Sequence, residues 1–178
     1  EHFYADGDRA AEWCENHLLE RLKGHGEVDK EFPFELLDLV RGLSLEEVEI
    51  LRGIFNRIEY RAGDVVFSQG EAGSALYVIT SGSASVHVAL VREGGDRRLV
   101  TFSPGTVFGE MALLDRERRS ATVTADGVLV CQVMQREDFE QLGNTHPRIG
   151  MTLLANIGRE ISMRLRNANQ ALAGSSSY

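Results

Sequence analysis

Two residues of opposite charge, Glu110 and Arg119, stand nine positions apart in the stretch FGEMALLDRERRSATV, which runs from Phe108 to Val123. Gly109 precedes the acid, and a glycine can take the positive φ that turns successive backbone N–H groups toward one point, a concavity that holds anions. EMALL is good helix-forming sequence, so a short helical turn is expected to start at Glu110 and aim further N–H donors at that point. Arg119, crossing from the next strand, would meet the charge with a two-pronged guanidinium. Glu110 repels an anion but accepts a hydrogen bond from a hydroxyl beside one. The chemistry these two imply is recognition of a small anion that carries a neighbouring hydroxyl.

Such a pair needs a rigid frame. From Arg57 onward the chain reads as short strands, with glycines at 63, 70, 73, 82, 94, 95, 105 and 109 at strand-length intervals. SASVHVALV, Ser83 to Val91, alternates with Ala84, Val86, Val88 and Leu90 on one face and Ser85, His87 and Ala89 on the other. REGGDR, Arg92 to Arg97, supplies a hairpin turn. Glu137 to Leu142 then reads as a short helix. Pro147 opens a long one, in which Ile149, Leu153, Ile157 and Ile161 keep helical spacing and Arg159, Arg164 and Arg166 sit toward the end, where cations suit the dipole. Upstream, a helix is expected over residues 6–23, a linker over 24–42, and a helix from Leu45 to Phe55 that starts at a Ser44/Glu47 capping box. AGSSSY, Ala173 to Tyr178, reads as a tail. The fold class expected is α+β, mainly β: an eight-stranded jelly-roll barrel flanked by N-terminal helix and two C-terminal helices.

The bulk numbers narrow the function. A chain of 178 residues with 43% apolar residues suits one buried domain with appendages. Its net charge of −8 argues against a nucleic-acid-binding surface. Cys14 and Cys131 lie far apart and read as free thiols in a reducing compartment, which implies a cytoplasmic location. The five histidines show no paired ligand spacing, so no metal is expected. No serine stands in a nucleophile-elbow pattern, and no catalytic residue is assigned; the domain is read as a non-enzyme without cofactor. Arg116 and Arg118 read as solvated loop residues. The sequence opens without a methionine and in a helical pattern, as a piece of a longer protein would.

A phosphate with an adjacent free hydroxyl describes a ribose cyclic phosphate, and Gly109-Glu110-Met111-Ala112-Leu113-Leu114 followed by Arg119-Ser120-Ala121-Thr122 resembles the phosphate-binding cassette of cyclic nucleotide-binding domains. AGDVVFSQGEAGSALYVITSGSASV resembles the first strands of that family, whose members include catabolite activator proteins and protein kinase A regulatory subunits. The likeness covers residues 43–172. It implies that Glu110 bonds the ribose 2′-hydroxyl and Arg119 the cyclic phosphate. The backbone at Gly109, Met111 and Ala112 would complete the pocket, with Phe108 and Ala121 beside it and Ser120 as a further donor to phosphate or base. The ligand implied is cAMP, with cGMP second, since cGMP-selective relatives carry threonine where this chain has Ser120. Met111 is implied to pack on a hinge before the last helix, against Phe139 and Leu142.

YADGDRAAEWCENHLLERL, in residues 1–23, resembles the last helix of a STAS domain, as in sulfate-permease-type transporters and some bacterial glutaminases. The expectation is thus a regulatory module attached to a transporter or an enzyme, with a homodimer through its helices as a further expectation. The competing expectation is a protein-interaction module with a vestigial pocket.

Overall fold

The computed structural model describes residues 31–89 and 96–175. The expected helix over 6–23 with its STAS likeness, residues 24–30, and the tip of the expected hairpin lie outside them.

The part of the expected linker that is described does not behave as a spacer. Phe34–Leu36 and Asp38–Val40 form two 3-10 turns, and Phe34, Leu37, Leu39 and Val40 are all buried. Such turns lack the 3.6-residue repeat by which a helix is recognised, so their apolar residues pass unnoticed in sequence. Helix α1, Leu45–Arg52, starts at the expected capping box: Ser44 Oγ accepts from Glu47 N at 3.3 Å, and Glu47 Oε2 accepts from Ser44 N at 2.8 Å. It stops short of the expected Phe55, at Gly53, and Phe55 instead turns inward to meet Phe34 edge-on at 5.3 Å.

Eight strands follow: β1 Asn56–Tyr60, β2 Val65–Phe67, β3 Ala75–Ser81, β4 Ala84–Ala89, β5 Asp96–Phe102, β6 Val107–Phe108, β7 Thr122–Ala125 and β8 Leu129–Gln135. Between β6 and β7 lies a one-and-a-half-turn helix, α2, Glu110–Asp115. The strands form two antiparallel four-stranded sheets, ordered β1-β8-β3-β6 and β2-β7-β4-β5. The expected closed barrel is therefore corrected: strand number and order suit a jelly roll, but among the described residues no ladder joins the two sheets. Strands β2 and β6, three and two residues long, are too short to carry pairing around both corners.

Alternation along β3 explains why that strand is buried on both faces. Leu76 and Val78 point into a core shared with helices, while Ala75 and Ile79 point between the sheets. Strand β8 does the same with Met134 on one side and Cys131 and Val133 on the other. The expected alternation of β4 holds for Ala84 and Val86, both buried. Ser85 on its other face is also buried, and Ser85 Oγ donates to Asp126 at 2.6 Å.

Helices α3, Arg136–Thr145, and α4, Pro147–Ser175, complete the chain. The first outruns the expected Glu137–Leu142, and the second takes in the start of the expected tail. Ile149, Leu153 and Ile157 on α4 are buried in the helical core, one turn apart. Between them Asn156 Nδ2 donates to the carbonyls of Leu39 and Arg41 at 2.7 and 3.0 Å, and Arg148 pairs with Glu47 of α1. The first half of α4 is thus fastened to residues 39–47. Among the described residues, no helix is long and apolar enough to cross a membrane.

Candidate ligand-binding site

Tyr77 on β3 pairs in register with Phe108 on β6, and their rings stack at 5.0 Å. This fixes where the chain leaves β6. Gly109 then takes φ 76°, and a Cβ there would come within 2.6 Å of the Arg119 guanidinium and 3.0 Å of the Ala75 carbonyl. Only glycine suits both the left-handed backbone and the close approach. The turn delivers Glu110 to the first position of α2, where its side chain is almost wholly buried, at 7% exposure.

Arg119 arrives from the loop before β7, 5% exposed. Its Nη1 donates to the Gly109 carbonyl at 2.9 Å and its Nη2 to the Ala75 carbonyl at 3.0 Å. The guanidinium also lies over the Phe67 ring at 4.1 Å and the Tyr77 ring at 5.5 Å. Two features mark it as unfinished. Its Nε is buried without a hydrogen-bond partner, and it forms no ion pair among the described residues. Burial pulls its pKa below the usual arginine value, with Tyr77 and then Glu110 opposing that shift. A buried, unpaired cation is costly, and an incoming anion would offset that cost.

Glu110 does not pair with Arg119. Its Oε1 instead accepts from Arg164 Nη1 of α4 at 3.3 Å. Arg164 also donates to the Val107 carbonyl and, at 3.1 Å, to Glu160, and it lies over the Phe102 ring at 5.2 Å. Read in sequence only as a cation near a helix end, Arg164 belongs to the site. A spacing of 54 residues gave no local signal for it.

These groups face a cavity of about 540 Å³. Of the expected site residues, Phe108, Gly109, Glu110, Met111, Arg119, Ser120 and Ala121 line it, and Ala112 lies on α2. Arg116 points away, in an ion pair with Glu140 at 3.0 Å. Arg118, expected to be a solvated loop residue, is exposed but donates to the Gly70 carbonyl at 2.7 Å and borders the cavity. Met111 departs from expectation. It is half exposed, and its sulfur lies 3.9 Å from Ser120 Oγ, whereas Leu113 is the residue of α2 that joins Phe139 and Leu142 in the helical core. Two helical steps, about 200°, turn Met111 toward the cavity and Leu113 toward the core.

The arrangement is an anion-accepting corner beside a buried carboxylate, at one end of a cavity sized for a small organic molecule. Glutaminase 1 of Bradyrhizobium diazoefficiens is 33% identical over 162 residues, which are 91% of this chain and 25% of that protein. The cyclic AMP receptor protein of Thermus thermophilus is 37% identical over 135 residues, 75% of this chain and 60% of that protein. The chain therefore spans about a quarter of the first relative and three-fifths of the second. The crystal structure of Thermus thermophilus catabolite activator protein superposes with a TM-score of 0.68 at 34% identity, covering 78% of this chain and 63% of that one. Residues 57–146, from β1 to the end of α3, match the cyclic nucleotide-binding domain family, and with the cassette geometry and these relatives they make the chain a member of it.

Proposed function

We propose that the domain binds a cyclic nucleotide, cAMP first and cGMP second, and relays the binding through α4 to the protein of which it is a part. One observation carries the proposal: the buried, unpaired guanidinium of Arg119 faces the same cavity as the carboxylate of Glu110. Arg119 takes the cyclic phosphate and Glu110 takes the ribose 2′-hydroxyl with the oxygen that Arg164 leaves free. The backbone at Gly109, Met111 and Ala112 borders the phosphate, and Ser120 adds a hydroxyl. The relay rests on Arg164, the side chain of α4 that touches Glu110.

The attached partner is proposed to be a glutaminase-type enzyme. The glutaminase match takes in more residues than lie between Glu31 and Tyr178, so it extends into residues 1–30, beyond the nucleotide-binding domain itself. The domain contributes regulation to that enzyme and no chemistry of its own. The net charge of −8 leaves nucleic acid out of the proposal. The buried free thiol of Cys131, pushed up to about 12 by desolvation, suits a reducing, cytoplasmic setting. Met151 and Leu154 leave apolar side chains exposed on α4, which supports a homodimer through this helix.

Isothermal titration with cAMP and cGMP tests the proposal. Saturable binding by the parent chain and its loss in Arg119→Ala, with the variant still folded by circular dichroism, is the expected result. If the parent chain binds neither nucleotide at millimolar concentration, the pocket is vestigial and the domain serves protein interaction instead.

A further inference from the structure

The polar groups of the cavity are linked by hydrogen bonds or along the chain, and Arg164 also lies over the Phe102 ring. Arg164 touches Glu110, Glu110 follows Gly109, the Gly109 carbonyl accepts from Arg119, and Arg118 and Ser120 flank Arg119 in sequence. Beyond that corner the described walls change character. Val86, Leu99, Phe102, Ile161, Leu165 and Ala168 bring only aliphatic and aromatic carbon to the cavity. Leu99 and Leu165 are 56% and 59% exposed, so this apolar end lies at the surface. Among the described lining residues the one hydroxyl belongs to Ser120, next to Arg119 in sequence.

From this division we infer that the pocket reads the phosphate and ribose but grips the base by its faces alone, so that it accepts any of the four common bases. The inference rests on the cyclic nucleotide reading above. A site discriminates strongly between bases when buried polar groups must be matched, because the wrong base leaves them unpaired. Here the base faces meet carbon, and the polar ring edges can keep their water at the open end. Nothing on these described apolar walls penalises a guanine for its carbonyl or a cytosine for its amine. What remains is area: a purine covers more of Leu99, Phe102 and Leu165 than a pyrimidine does, and apolar burial scales with area. Leu165 and Ala168 are thereby specificity-determining through what they lack.

The experiment is a titration of the chain with cAMP, cGMP, cCMP, cUMP and 2′-deoxy-cAMP, repeated on Leu165→Ala, Ala168→Thr and Ser120→Ala. cAMP and cGMP should bind within about tenfold of each other, with cCMP and cUMP weaker than cAMP by about tenfold, the share of the lost ring area. Removal of the 2′-hydroxyl should cost about as much as any change of base, since Glu110 loses its partner. Leu165→Ala, at an exposed position, should weaken both purine nucleotides by a similar factor of about five and leave their ratio unchanged. Ala168→Thr, which sets a hydroxyl on the wall, should widen the spread between bases, and Ser120→Ala should not. A parent chain that separates cAMP from cGMP by more than about a hundredfold overturns the inference while leaving nucleotide binding intact. So does a cAMP/cGMP ratio that collapses in Ser120→Ala, which would make that hydroxyl a base reader. Binding of none of the five overturns the cyclic nucleotide reading, and this inference with it.

Discussion

Arg164 on α4 and Glu110 on α2 are 54 residues apart in the chain and 3.3 Å apart in the fold. The pair lies at the wall of the cavity, with Glu110 buried and Arg164 about one-third exposed. The same guanidinium also holds the Val107 carbonyl and Glu160, so it ties the last helix to both ends of the turn at Gly109. Helix α4 is thus held twice, near its start by Asn156 and Arg148 and farther along by Arg164. Only the second attachment touches the site.

Removing that attachment should therefore separate binding from relay. Arg164→Ala leaves Glu110 as a buried carboxylate without its ion-pair partner, near where an anionic phosphate is proposed to sit. Affinity for cAMP should fall by about 1–2 kcal/mol, roughly tenfold. The larger effect should be on α4: protection of amides 157–165 on adding cAMP, followed by hydrogen exchange, should be lost even at saturating nucleotide. A ligand shifts such an equilibrium only through contacts that differ between the two states. Full protection in the variant would mean that α4 responds through some other contact.

Arg119 and Glu110 should differ in kind. Arg119→Ala removes the proposed phosphate partner and leaves the Gly109 and Ala75 carbonyls without a donor. It should cost about 1–3 kcal/mol in stability, and several-fold more in affinity than Glu110→Gln, whose own loss should be about 1–3 kcal/mol. Arg119→Lys keeps the charge but cannot span both carbonyls, so it should regain little. Denaturant melts and calorimetry on the three variants check this, and parent-like nucleotide affinity in both Arg119→Ala and Glu110→Gln would remove the cassette assignment.

What could be read from sequence follows from how local each signal is. Gly109, Glu110 and Arg119 were legible because a positive-φ turn and a nine-residue spacing fit inside one loop. The strands were legible because alternation and glycine turns are local. The cavity walls were not, since Leu99, Phe102, Ile161 and Leu165 come together only when β5 and α4 are placed. The same holds for Leu39 and Val40, on the 3-10 turn against which α4 packs, and for Phe34, which meets Phe55. Whether two sheets close into a barrel depends on pairing at corner strands two or three residues long, and alternation says nothing about it.

Glu47 gives a pH prediction with a definite sign. The hydrogen bond from Arg148, and next the backbone N–H of Ser44, hold its carboxyl at about 2 in the fold against an ordinary 4.5. A carboxyl lowered on folding stabilises the fold above its unfolded-state value and loses that contribution as pH falls through the folded one. The contribution is therefore present above about pH 4.5 and lost on going down toward pH 2. Glu47→Gln cannot titrate. Its melting temperature should lie below that of the parent at neutral pH, and the gap should narrow as the buffer is taken to pH 3. A gap that stays constant would show that the pair with Arg148 has no net effect.

Leu113 takes the place that sequence assigned to Met111. Leu113 is 5% exposed and lies in the core cluster that includes Leu142 and that Phe139 packs against, whereas Met111 is 51% exposed at the cavity. A change in the cassette would then reach the junction of α3 and α4 through Leu113, three residues along from Glu110. Leu113→Ala should cost about 2–4 kcal/mol in stability, as truncation of a buried leucine does. Met111→Ala should change stability by less than about 0.5 kcal/mol, as for an exposed site. Phe139→Ala, at the edge of the same core cluster and only partly buried, is the milder probe of coupling. It should leave cAMP binding measurable while reducing the nucleotide-induced protection of amides 157–165. If Met111→Ala reduces that protection and Phe139→Ala does not, the movement runs through the half-exposed methionine, and the buried contact of Leu113 serves stability alone.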